Sequence, residues 1–294
     1  MNGHLRTCTV DGLNIGDSRF NWNDKLIIFH NKGTDNNLVN VNVILPNPYR
    51  VRNLGDSISD EEFQDQGEAF DIVAMFLACY HLTNDFNMPK IIMHTWSATD
   101  LQPFDSINDV TFSGFIPQFK SRFENVISTD LTSSALQNTK PLFEKLMNLP
   151  KKNREPISVA LIVYHKARSS DEIFTQFLDL VTVLETLFTE NDGETKYKLA
   201  LRTCIFYEND TLKRKELFEK LRTVYRDRSD LIHGNKISLN PHSVYHKHYE
   251  FLLPIVFQIL IKYIKILSND VAKKDIVKMI DDMALGELKS EFVT

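Results

Sequence analysis

Apolar residues follow two different periods along this chain. Over residues 25–30 and 39–45 they are β-branched or alternate with polar ones, which is the period of a half-covered strand; the Asn-, Asp- and Gly-rich stretch 31–37 between them predicts a turn and hence a hairpin. Pro46 and Pro48 end the second strand. Phe63, Phe70, Val73, Phe76, Leu77 and Tyr80 recur at helical spacing behind Asp60, a residue suited to capping, and predict a helix over 60–81 with one apolar face. Residues 89–96 and 109–116 return to strand-like runs. From about residue 141 the period is helical, with helices predicted over 157–167, from Ser169-Ser-Asp-Glu172 to about 190, over 194–207, 211–233 and 242–267, and a short terminal one within 267–289. Leu149-Pro-Lys-Lys-Asn-Arg-Glu-Pro156 carries helix-breaking prolines and wet charges, so the domain border is placed near residue 150. The expected fold class is α+β, with a mixed α/β module holding a small sheet over 1–150 and an all-α helical bundle over 151–294.

Three of the predicted helices interrupt an apolar row with a charge. Leu217, Leu221, Val224 and Leu231 form one row, and the residue that falls among them is Arg228. Glu185 sits the same way in the row of Phe174, Leu178, Val181 and Phe188, and Arg202 lies between Leu199 and Phe206. A guanidinium in an apolar row loses hydration, so it requires a carboxylate, a bound phosphate or a wet cleft. Two pairings are open: Glu185 with Arg202, fixing helix packing and rated above a direct catalytic role, or Glu185 with Arg228, orienting that guanidinium by a two-pronged hydrogen bond. Five residues after Arg228 comes His233 and then Gly234, the residue that most readily closes a helix in the left-handed conformation. The helix's exposed carbonyl ends favour a positive imidazole at His233, and the neighbouring arginines oppose it.

These residues resemble a known pattern. Arg228-Ser229, then His233-Gly234 near a helix end, is similar to the signature of the HEPN superfamily, and specifically to its Apea-like branch. Leu184-Glu185-x-Leu187, Leu199-Ala-Leu-Arg202 and Tyr225 fall in the order and at roughly the spacing of that branch, and the likeness covers about residues 155–270. The resemblance implies a HEPN-type helical bundle and a metal-independent ribonuclease. It implies Arg228 and His233 as the catalytic pair, with supporting roles for Glu185 and Arg202, and a homodimer whose two motif helices meet in a shared cleft. It also implies an association with defence against phage through damage to RNA. Ser229 and Asp230 are placed to steady the imidazole or the backbone. Arg226 and Arg222, on the face of His233, are candidate phosphate contacts, and Tyr225 either stacks a base or packs. Five residues of helix is about 500°, so on one straight helix His233 lies about 140° round from Arg228. Either the helix end swings the imidazole inward, or a second copy completes the site.

Composition narrows the choice without making it. Residues 151–294 hold 23 Lys and Arg against 21 Asp and Glu, and residues 1–150 hold 11 against 18, so the net charge of −5 conceals a mildly basic second half. Residues 213–236 concentrate eight basic residues against four acidic ones, an excess that attracts phosphates. Cys8, Cys79 and Cys204 are widely spaced, which fits a reducing cytoplasm, and residues 251–267 are broken by Gln258, Lys262 and Lys265, so no membrane span is expected. Residues 1–150 offer no phosphate loop, metal spacing or nucleophile elbow. His242 and His246 have metal-pair spacing but no third ligand, so neither metal nor cofactor is expected. The expected partner is RNA, together with a second copy of the chain and a regulatory partner of unknown kind. The alternative function is a non-catalytic dimeric module that binds RNA or nucleotide through Arg228.

Overall fold

The computed structural model describes residues 4–11, 13–14, 19–23, 26–30, 39–45, 60–84, 92–99, 129–130, 133–190, 195–234 and 241–286, with side chains described at 71–84, 134–190, 196–234 and 242–286. The chain divides into two compact units, Met1–Thr139 and Lys140–Thr294. In the first, backbone strands β1 (His4–Asp11), β2 (Leu13–Asn14), β3 (Arg19–Asn23), β4 (Leu26–His30), β5 (Val39–Leu45), β6 (Ile92–Thr99) and β7 (Thr129–Asp130) accompany helix α1 (Asp60–Thr83). Their pairing order is β3-β4-β5-β1-β6, with β2 beside β7. The strand expected over 109–116 and the turn expected over 31–37 lie outside the described residues.

The α+β expectation, with a mixed N-terminal module packed on a small sheet, is corrected by the part of the chain whose packing is defined. Where side chains are described, 87% of the residues are helical and none is in a strand. The strands above are backbone pairings without described side chains, so no covered sheet face or mixed core is defined. The class these residues support is a helical bundle. Helix α1 departs from expectation too. A single apolar face was predicted, yet every residue from 72 to 82 is buried, including His81 and the small Ala74, Ala78 and Cys79. Burial pushes the Cys79 thiol well above the ordinary cysteine range, so it is an inert core group. Thr139, in helix α2 (Ser133–Asn148), bonds both Thr83 Oγ1 and Asn84 Nδ2 at 3.0 Å and so meets the end of α1.

The second unit holds α3 (Lys151–Ser169), α4 (Ile173–Phe188), α5 (Thr195–Tyr207), α6 (Thr211–His233), α7 (Pro241–Ile266) and α8 (Lys273–Ala284). Pro156 and Pro254 both lie inside their helices, α3 and α7, past the first turn, so each removes an N–H from the hydrogen-bond ladder. Helix α4 is the centre: α3 and α7 pack along it, and α5, α6 and α8 touch it. Ten of its sixteen residues are buried, among them Phe177, Leu180, Val183, Leu184 and Leu187, so the stripe read from Phe174, Leu178, Val181 and Phe188 captured only part of its apolar surface. Phe188 of α4, Phe206 of α5 and Tyr263 of α7 meet ring to ring, with centroids 5.2–6.2 Å apart. Such contacts add to the area term about 0.5–1.5 kcal/mol per aromatic pair. Among the described residues no helix is long and apolar enough to cross a membrane.

Arg202 shows how the bundle accepts a buried charge. Its Nε and Nη2 donate to the two carboxylate oxygens of Asp281 on α8 at 2.8 and 2.7 Å, and Nη1 donates to the carbonyl of Phe188 at 2.7 Å. Of the two pairings left open for Glu185, the one with Arg202 is therefore not formed. The carboxylate that Arg202 takes is on α8, where a local reading of α4 and α5 does not reach. With the side chain only 6% exposed, the planar fork needs acceptors for its donors, and this arrangement supplies them.

His165 of α3 gives a test of the core. It is 4% exposed, and burial lowers its pKa from the ordinary 6.5 to about 4. Between these values the unfolded chain binds a proton that the folded chain resists, so this group's share of stability is full above 6.5 and is lost as the pH falls toward about 4. Urea unfolding of wild type is expected to lose on the order of 2–3 kcal/mol from this source across that window. His165→Gln should flatten the loss; an unchanged pH profile in that variant would remove His165 from the account.

Candidate functional site

Helix α6 begins with a side-chain cap. Asp210 Oδ1 accepts the N–H groups of Leu212 and Lys213 at 2.8 and 3.0 Å, and these bonds, with the Lys213 charge, hold its carboxyl below the ordinary range. The helix ends at Gly234, whose φ of 63° lies in the left-handed region and whose N–H turns back to the carbonyls of Asp230 and Leu231. Between these ends Leu217, Leu221, Val224 and Tyr225 are buried, and the helix stays regular through His233. The expected inward swing of a frayed end is therefore not seen, and the offset of about 140° between Arg228 and His233 is kept within one chain.

The polar side chains of the last two turns go to separate partners. Arg228 Nη2 donates to Glu185 Oε2 of α4 at 3.0 Å, a single prong where two were anticipated, with the two side chains 28% and 23% exposed. Arg228 Nε is buried without a partner, and Nη1 makes no described bond. Burial raises the Glu185 carboxyl above the ordinary glutamate range, against the pull of Arg228. Tyr225 is 2% exposed with an unpartnered hydroxyl, and burial, then the Glu185 charge, push it well above the ordinary tyrosine range while Arg228 opposes them. A ring so enclosed packs, and it does not stack a base. Ser229 Oγ accepts from Lys196 Nζ at 3.0 Å rather than contacting His233. Asp230 contributes its carbonyl to the closing turn. His233 is exposed at the helix end. Arg226 and Arg222 are exposed, leaning on Asp227 at 3.3 Å and on Glu219 at 3.4 Å respectively.

One pair escaped the sequence reading. His248 Nε2 of α7 meets Asp227 Oδ2 of α6 at 2.8 Å, with the two side chains 15% and 23% exposed, and the imidazole stacks on Phe177 with centroids 5.4 Å apart. A carboxylate-held imidazole is the arrangement that fixes a histidine's tautomer and orientation. The signal was present: His248 shares a row with Tyr245 and Leu252, a polar residue on an apolar face like Arg228 on α6. Residues 227 and 228 thus send consecutive side chains to α7 and α4, which seats α6 over the neighbouring pair of helices. His246 reaches Glu250 at 3.5 Å within α7, and among the described residues no three His, Cys, Asp or Glu side chains are grouped to hold a metal ion. Comparison of the chain with family models, with curated proteins and with solved structures finds no match in any of the three.

The Glu185–Arg228 contact makes a quantitative prediction. A double-mutant cycle with Glu185→Gln and Arg228→Met is expected to give a coupling of about 1–2 kcal/mol, above an exposed pair and below a sealed one. The raised Glu185 carboxyl takes up a proton in the folded state, so its contribution to stability falls as the pH climbs from the ordinary glutamate range through the raised value. Glu185→Gln should remove that slope. Chemical denaturation across the acidic range measures both, and zero coupling would show the contact to be incidental.

Proposed function

We propose that this chain is a metal-independent endoribonuclease of the HEPN type that works as a homodimer on RNA. The observation that carries the reading is Arg228: a guanidinium inset in the apolar face of α6, held by one oxygen of Glu185, still 28% exposed and with no bond from Nη1 among the described residues. Such a group is positioned yet has a donor to offer, which suits a phosphate oxygen. In the reaction the RNA's own 2′-oxygen attacks the adjacent phosphorus while the bond to the 5′-oxygen breaks. An imidazole accepts the 2′-hydroxyl proton, a protonated imidazole returns one to the departing 5′-oxygen, and the products are a 2′,3′-cyclic phosphate and a 5′-hydroxyl. Arg228 offsets the charge that gathers on the phosphoryl oxygens. The offset between Arg228 and His233 on one helix is met by pairing each Arg228 with the His233 of a second copy. DNA lacks the attacking hydroxyl and is not a substrate.

The runner-up, a dimeric RNA- or nucleotide-binding module without cleavage, draws on the same geometry, because Glu185 already partly neutralises Arg228. Labelled RNA incubated with the protein in EDTA separates the two. The nuclease reading expects a cyclic-phosphate product, a loss of at least a hundredfold in Arg228→Ala and in His233→Ala, unchanged dimer mass and melting, and recovery of activity when the two variants are mixed. Loss in His248→Ala with retention in His233→Ala would transfer the proton-transfer role to the Asp227–His248 pair. Binding of intact RNA with no cleavage by wild type would leave the module.

A further inference from the structure

A cavity of about 500 Å³ lies where the start of α3, the end of α4 and the start of α8 converge, a volume in the range of small-ligand sites. Its lining mixes donors with acceptors. The donors include Lys152, Lys273 and Lys274, none of them in a salt bridge among the described residues. Beside them is the first turn of α8. Its N-cap is Ala272, which has no side-chain oxygen to offer, and Asp275 turns back to the N–H of Ala272 at 2.8 Å. No acceptor is described for the N–H groups of Lys273 and Lys274. This part of the lining presents positive charge and open donors together.

The lining also holds acceptors. Asn153, 1% exposed, spends its Nδ2 on the carbonyls of Ser268 and Asn269 at 2.9 and 3.0 Å, which fixes the orientation of the amide and leaves Oδ1 buried without a partner. Thr189 donates its hydroxyl to the carbonyl of Glu185, which leaves its oxygen only as an acceptor, and Glu190 also lines the cavity. An unsatisfied buried acceptor costs about 1–3 kcal/mol, so a ligand hydroxyl placed against Asn153 offsets a standing penalty. A bare anion would satisfy the lysines and leave Asn153 as it is.

The geometry points to a binding site for a phosphorylated sugar, free or as part of a nucleotide, with its phosphate against Lys152, Lys274 and the start of α8 and its hydroxyls against Asn153 and Glu190. Burial lowers the Lys273 pKa, with Arg202 adding to that and Glu190 opposing it, and a ligand phosphate would act against that lowering. This site is separate from Arg228 and does not rest on the nuclease reading.

Calorimetric titration of the full chain with ribose 5-phosphate, AMP, inorganic phosphate and ribose tests it. At least one of the two phosphosugars is expected to bind one per chain, at least tenfold more tightly than inorganic phosphate or ribose. Binding of both assigns the site to the shared phosphosugar, and binding of AMP alone assigns it to nucleotides. Lys152→Glu and Lys274→Glu, both at exposed positions, should each weaken binding tenfold or more without altering the melting curve, and Lys215→Glu, on exposed α6 surface, should not. No binding of either phosphosugar at millimolar concentration, equal binding of inorganic phosphate, or indifference to both charge reversals overturns the assignment.

Discussion

Helix α4 has to be covered on most of its circumference, and that requirement organises the second unit. Apolar side chains on more than one face cannot be satisfied by a single neighbour, so α3 and α7 flank it and α5, α6 and α8 close the remaining gaps. Each large side chain so enclosed contributes about 1.5–3 kcal/mol of burial. The Phe188, Phe206 and Tyr263 rings show three helices meeting at one end of α4 for this reason.

Three charged side chains at the seams of this bundle each join neighbouring helices. Arg202 ties α5 to α8 and to the last carbonyl of α4. Arg228 ties α6 to α4, and Asp227 ties α6 to α7. These contacts differ in what they leave available. Arg202 has its fork saturated and is structural in consequence. Arg228 is bonded by one nitrogen and still open to water, which is why the nucleic-acid reading centres on it. Partial satisfaction, rather than charge as such, separates a packing residue from a candidate for chemistry.

Helix α4 also connects the two places where a ligand is argued to sit. Glu185 holds Arg228 with its side chain, while its carbonyl accepts from Thr189, which lines the lysine-walled cavity. The two sites therefore share one turn of backbone at the end of the central helix of the second unit, where movement is costly because the surrounding side chains are interlocked.

The order and approximate extent of α3 to α8 were legible from the sequence, because helical period, caps and the Gly234 stop are local properties written into neighbouring residues. So was the presence of misplaced charges at Glu185, Arg202 and Arg228. Their partners were not settled: Glu185 for Arg228, 43 residues away, was one of two open pairings, and Asp281 for Arg202 and His248 for Asp227, 79 and 21 residues away, were not foreseen. The fold class was misjudged where strand-like runs in the first half were taken to imply a packed mixed module, since a run of alternating residues does not specify what covers it. The sequence by itself determined which segments are helical, where α6 stops and which charges need a partner, since these depend on residues within a turn or two of one another. The tertiary structure alone decided which carboxylate meets which guanidinium, that Tyr225 is enclosed, and that α3, α4 and α8 leave a cavity between them, because such pairings depend on how separate helices are turned and seated.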